Sequence, residues 1–152
     1  KRALESVEAK VENAIKQGAK VLCGGHRVGD KGYFYAATLL DNCTQDMDII
    51  HEETFGPVLP IVEFEDTDQV IAWANDVEYG LASSVFTKDI DTAAKVTRGL
   101  EFGETYINRE HFEAMQGFHA GVKKSGIGGA DGKHGVEEYL VTHVTYLDTH
   151  YE

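Results

Sequence analysis

The chain has 152 residues, 42% of them hydrophobic and 26% charged, with a formal net charge of -12 at pH 7. That length suits one domain with a sizeable core. The acidic balance opposes nucleic-acid binding and docking on anionic lipid, both of which want a clustered basic face, and no apolar run is long enough to span a membrane.

Lys1-Arg2-Ala3-Leu4-Glu5 brings an acidic residue at once and no apolar stretch follows, so the start is not a secretory signal. The missing initiator Met, with a helical pattern already under way, points to a truncated or processed chain. Ala3, Leu4, Val7, Val11, Ala14 and Ile15 recur at helical spacing, and Gly18 is a natural stop. Residues 19–23 form a short apolar strand closed by Gly24-Gly25. Residues 33–40 are aromatic and β-rich, so strand or extended. His51-Glu52-Glu53-Thr54-Phe55-Gly56-Pro57 reads as a rigid turn, because glycine frees the backbone and proline fixes φ. Residues 57–64 read as a strand, with Pro60 arguing for an edge.

Asp66 or Thr67 caps a helix carrying Val70, Ile71, Trp73 and Ala74. A strand over 81–87 follows, then a helix capped by Asp89 or Asp91, then a strand over 105–108. A long loop runs over 109–132. Residues 135–140 form a short helix and 141–147 a closing strand. Strands alternating with helices argue for an α/β fold with a partly parallel sheet flanked by helices. No composition shift marks a linker, so no internal boundary is expected.

Several catalytic patterns fail on spacing. The run Gly126-Ile127-Gly128-Gly129-Ala130-Asp131-Gly132-Lys133-His134-Gly135 has Asp131 where a dinucleotide fingerprint needs Gly. A phosphate-binding loop there would need Gly at 127 and Ser or Thr at 134. Ser125 lacks the first glycine of a nucleophile elbow. The seven histidines form no H-x-x-x-H or H-E-x-x-H pair, so no metal centre is expected. Cys23 and Cys43 form neither a disulfide framework nor a C-x-x-C motif, and free thiols in a reducing cytoplasm fit best. Neither has a base nearby in sequence.

Five ordered blocks remain: Gly32-Tyr33-Phe34-Tyr35-Ala36-Ala37-Thr38-Leu39, the turn from His51 to Pro57, Ala74-Asn75 with Tyr79-Gly80-Leu81-Ala82-Ser83-Ser84-Val85-Phe86-Thr87, Gly103-Glu104-Thr105-Tyr106-Ile107-Asn108, and Lys124-Ser125-Gly126-Ile127-Gly128. Together, in this order, they resemble the aldehyde dehydrogenase superfamily over essentially the whole chain. Ala37 stands where that family has proline, and Gly129-Ala130 where many relatives have Arg-Glu, so no role of that glutamate is carried over. The resemblance implies that residues 1–152 are the C-terminal portion of the catalytic domain, with an oligomerisation-type closing strand over 141–147. An ordinary edge strand is the other reading of that segment. It implies NAD or NADP as cofactor, with Glu53 holding the ribose beside the nicotinamide and Phe55 packing nearby. It also implies that the nucleophilic cysteine, the general-base glutamate and the cofactor fold lie upstream, so no catalytic residue is expected in the chain. A small aldehyde substrate and a homo-oligomer are the implied partners.

Residues 108–126 resemble the family segment lining the substrate mouth. Aligned backward from Lys124-Ser125-Gly126, Glu113 and His119 fall where many members carry aromatic rings, with Phe112 and Phe118 beside them. A polar pair suits a polar substrate, since an apolar one would leave both groups desolvated and unpaired. The run looks most like the branch acting on lactaldehyde and glycolaldehyde, with Glu113 and His119 bonding a 2-hydroxyl. Alternatives are a solvated loop, a non-catalytic oligomerisation or regulatory fragment of the same fold, and a stand-alone acidic α/β binding module. The completeness of the motif order disfavours the last.

Overall fold

In the computed structural model, which describes residues 1–150, the first apolar stripe folds as expected. Helix α1, Arg2–Gln17, buries Leu4, Val7, Val11 and Ala14 on one face. Gly18 ends it at φ 116, a left-handed conformation that a side chain would resist. Strand β1, Lys20–Cys23, and β2, Thr38–Cys43, follow. Then come a short helix α2, Asp48–His51, β3, Val58–Val62, and α3, Thr67–Asn75. The sheet order is β1-β2-β3, antiparallel between β1 and β2 and parallel between β2 and β3.

The central strand supplies the core. Thr38, Leu40 and Cys43 are its buried positions, and Leu40, Cys43, Met47 and Ile49 pack with Val11, Ala14 and Ala19. Pro60, which has no N–H to donate, sits on β3 at the sheet edge. The aromatic stretch from 33 is not strand until Thr38; before it only an isolated bridge joins Arg27 to Tyr35. Helix α2 has no sequence signal, being one turn without a side-chain cap. It is held from α1, where Asn13 Nδ2 donates to Asp48 Oδ2 at 2.6 Å.

The chain divides into two compact units, Lys1–Asp76 and Val77–Glu152, although no linker composition separates them. In the second, β4, Tyr79–Gly80, and β5, Ala82–Val85, lead into α4, Ile90–Gly99, and β6, Glu104–Ile107. Asp89 caps α4 by accepting from the Thr92 N–H. β5 and β6 pair in parallel, Ala82 against Glu104 through Val85 against Ile107, with α4 as the crossover.

Residues 109–132 are less irregular than expected. They hold β7, His119–Ala120, β8, Val122–Lys123, and β9, Gly129–Ala130. β8 pairs antiparallel with β4, and β7 with β9. Helix α5, Gly132–Glu137, begins three residues before the expected start at 135.

The expected closing strand over 141–147 is corrected. The segment has no regular structure, and Val141 and Tyr146 are 94% and 95% exposed. Strand structure needs a partner ladder, and among the described residues none pairs with it. No helix among the described residues is long and apolar enough to cross a membrane.

Candidate functional site

The second unit gathers three separated sequence blocks through their backbones. Gly80 N–H donates to Ser125 Oγ at 2.9 Å, Gly103 N–H to Gly80 O at 3.1 Å, and Glu104 N–H to Leu81 O at 3.1 Å. Lys124 N–H donates to Glu78 O at 2.9 Å. Ser125 is thus a backbone clasp. Gly103 is required by close approach: a Cβ there would occupy the position of the Ala120 carbonyl oxygen. The same backbone contact that excludes a side chain at 103 sets Glu104 beside His119.

His119 Nδ1 lies 2.9 Å from Glu104 Oε2 and 3.7 Å from Glu113 Oε1. The atom is buried and makes no well-formed hydrogen bond: Glu104 is within reach but poorly aligned, and Glu113 is too far, so the pairing is chiefly electrostatic. Glu104 is the more enclosed acid, its side chain 16% exposed against 45% for Glu113. Tyr106 shares its strand face and donates its hydroxyl to Glu104 Oε2 at 2.8 Å. His111 stacks on the Tyr106 ring at 4.8 Å, and Arg109 lies 5.7 Å from the ring centroid.

The charges set the protonation states. Contact with Glu104 raises the His119 pKa above its ordinary value; partial burial opposes this, and the fields of Glu104, Glu113 and Asp131 reinforce it. The imidazolium therefore persists to higher pH than an isolated imidazole would. Burial, with the bond to Glu104, pushes the Tyr106 phenol up to about 12, so it stays a donor.

Glu104, Glu113 and His119 place their ligand atoms within 4.8 Å of one another, the donors a divalent cation could use. The three lie at 104, 113 and 119, a spacing that matches no metal-binding motif. Their electrostatics favour a proton at Nδ1, which is the state that opposes a metal bond there.

The structure brings Glu113 Oε1 and His119 Nδ1 to 3.7 Å of one another. Phe112 is exposed, and Phe118 packs instead on the His134 ring at 5.4 Å. Glu104 and Tyr106 were not singled out. The signal was present: a Glu and a Tyr two apart in a strand share one face.

Glu53 and Phe55 belong to the first unit, in the turn between α2 and β3. Lys10 of α1 pins this turn, its Nζ donating to the Glu53 carbonyl at 2.6 Å and pairing with the Glu52 carboxylate at 3.3 Å. The Glu53 residue is exposed. The expected source of turn geometry is corrected. Phe55, not Gly56, has the left-handed φ of 50, and its ring is 83% exposed. Gly56 is needed for space, since a Cβ there would collide with Val7 of α1. A bulky residue held at positive φ with its ring in the open is a costly arrangement of the kind found at ligand contacts.

The Cys43 thiol is structural in character, and Cys23 is exposed. Cys23 and Cys43 are unpaired, and burial raises the Cys43 pKa, which keeps it a thiol. Within the glycine run, Gly129 is required by packing: it lies in β9, where a Cβ would meet the His119 carbonyl oxygen and the Phe118 ring.

Residues 1–145 match the Aldehyde dehydrogenase family. The chain is 60% identical to lactaldehyde dehydrogenase of Escherichia coli (strain K12) over 147 residues, covering 97% of this chain and 31% of that protein. The crystal structure of lactaldehyde dehydrogenase from Escherichia coli superposes with a TM-score of 0.91, covering 97% of this chain and 31% of that one. The NAD+ complex of an aldehyde dehydrogenase from Bacillus cereus, 39% identical, superposes with a TM-score of 0.85, covering 91% of this chain and 28% of that one. The chain therefore spans about a third of the length of the relatives it matches.

Proposed function

This chain belongs to the aldehyde dehydrogenase family, and we propose that it is the C-terminal part of an NAD(P)-dependent enzyme oxidising a small hydroxyaldehyde, of the lactaldehyde or glycolaldehyde type, to its acid. The observation that carries the substrate side is the Glu113–His119 pair, two polar groups converging at 3.7 Å in the segment aligned with the substrate mouth. Such a pair favours a substrate that offers a hydroxyl and penalises one that leaves it unpaired. A solved relative held with NAD+ supports the cofactor side.

In this scheme a thiolate outside the chain attacks the aldehyde carbon, and water later releases the acid. When bound, the nicotinamide accepts the hydride. The chain's own residues position the reactants. The exposed Glu53 carboxylate takes the ribose hydroxyls, while Lys10 holds its carbonyl and leaves the side chain available. The Phe55 ring packs beside the nicotinamide riboside. Glu113 and His119 bond the 2-hydroxyl and so favour a substrate that carries one. No residue of the chain supplies the nucleophile, so residues 1–152 alone are expected to turn over no aldehyde.

The exposed apolar residues Val141, Val144, Tyr146 and Leu147 support a contact between subunits in a homo-oligomer of the full-length protein. The two unpaired cysteines suit a cytoplasmic setting. A non-catalytic oligomerisation fragment remains the competing reading, and Glu53 separates the two. Glu53→Gln in the full-length protein is expected to raise KM for the dinucleotide about tenfold, the worth of one charged hydrogen bond, with little change in KM for the aldehyde. Steady-state kinetics with the dinucleotide varied checks this, and an unchanged KM would remove Glu53 from the cofactor wall.

A further inference from the structure

We propose that Glu104 is the positioning residue for His119: tethered by the Tyr106 hydroxyl, its carboxylate fixes the Nδ1 edge of the imidazole and so aims Nε2 at a hydroxyl beside the aldehyde carbon. The proposal rests on His119 being a substrate contact.

Of the two acids beside Nδ1, Glu104 is the closer, at 2.9 Å against 3.7 Å, and the less exposed. It is also tied at both ends. Its N–H donates to Leu81 O, and its Oε2 accepts from Tyr106. Tyr106 is itself only 8% exposed and held by the His111 stack, so the tether is fixed by packing. His119 is fixed in turn by its backbone pairing with Ala130. A side chain placed by packing and a neighbour's bond loses little entropy when substrate arrives.

The charged groups acting on His119 are Glu104 of β6, Glu113 in the following loop and Asp131 after β9; Arg109 and His111 pack on the Tyr106 ring. All three are acids, and the first of them in effect is Glu104. With Nδ1 turned to the carboxylate, a cationic ring donates from Nε2, and a charged donor bonds about twice as strongly as a neutral one. That cation is complete below the ordinary imidazole value of about 6.5 and is lost as pH rises through the raised value. KM for a hydroxyaldehyde should rise over the same interval.

The test is Glu104→Gln in the full-length protein, with KM and kcat measured from acid to alkaline pH for lactaldehyde and for propionaldehyde. The expected result is a rise in KM for lactaldehyde of about tenfold, with kcat and the propionaldehyde constants within about twofold. The pH at which KM climbs should fall toward the ordinary imidazole value, which a merely structural residue would not move. If Glu104→Gln leaves both the preference and the pH limb in place while His119→Phe abolishes the preference, Glu104 does not position His119, though the substrate reading stands. If His119→Phe also changes nothing, the substrate reading fails and takes this proposal with it. Should Glu104→Gln not fold, Tyr106→Phe removes the tether alone. A smaller shift in the same direction supports the proposal, and an unshifted profile overturns it.

Discussion

His119→Phe in the full-length protein is expected to lower kcat/KM for lactaldehyde relative to propionaldehyde by about 10- to 100-fold. The size follows from losing a hydrogen bond to a charged group, about 1.5–3 kcal/mol, at 1.4 kcal/mol per tenfold. The loss should fall mainly on KM, because the imidazole orients a hydroxyl and not the reacting carbon. Phenylalanine also restores the aromatic side chain that many family members carry at the aligned position, so propionaldehyde should be served at least as well as before. Glu104 would keep its bond from Tyr106 and would not be stranded entirely. Competition assays with both aldehydes in one reaction read the ratio directly. A ratio unchanged by the substitution would mean that the pair at 113 and 119 is a solvated loop feature.

Gly103→Ala should be the most disruptive small substitution in the second unit. A methyl group at this position would overlap the Ala120 carbonyl oxygen, and no side-chain rotation relieves a clash between two backbones. Overpacking that soft side chains absorb costs about 1–3 kcal/mol, and this site should reach or exceed the upper end. Separating β6 from β7 also draws Glu104 away from His119, so hydroxyaldehyde preference should fall along with stability. Gly126→Ala is the control. Its nearest non-neighbour atoms would stand 3.7 and 3.9 Å away, ordinary contact distances, and its effect should stay within about 0.5 kcal/mol. Thermal inactivation of the full-length protein compares the two. Equal midpoints for Gly103→Ala and Gly126→Ala would contradict the close approach.

Long periodic elements were legible in the sequence because their signals are local. The stripe from Leu4 to Ala14, the stop at Gly18, and the caps at Asp66 and Asp89 all appear where the pattern put them. Pairing was less legible. The two-residue strands β7 and β9 are too short for periodicity, so only the pairing of His119 with Ala130 distinguishes that segment from loop. Residues 141–147 show the opposite error: their composition suits a strand, but composition cannot supply a partner. The turn at 51–57 was placed correctly, yet the positive φ fell on Phe55, because Gly56 is reserved for the packing of Val7. Glu113 and His119 were found through resemblance. Glu104 needed the three-dimensional contact, since only the meeting of β6 and β7 shows which histidine it faces.

The most direct test of the account is the substrate profile of the full-length protein with NAD+ and with NADP+, read as kcat/KM for lactaldehyde, glycolaldehyde and propionaldehyde. The account expects dinucleotide reduction with at least one cofactor and a preference for the hydroxyaldehydes of about tenfold or more. Absence of turnover with every aldehyde, or a preference for propionaldehyde, would contradict it.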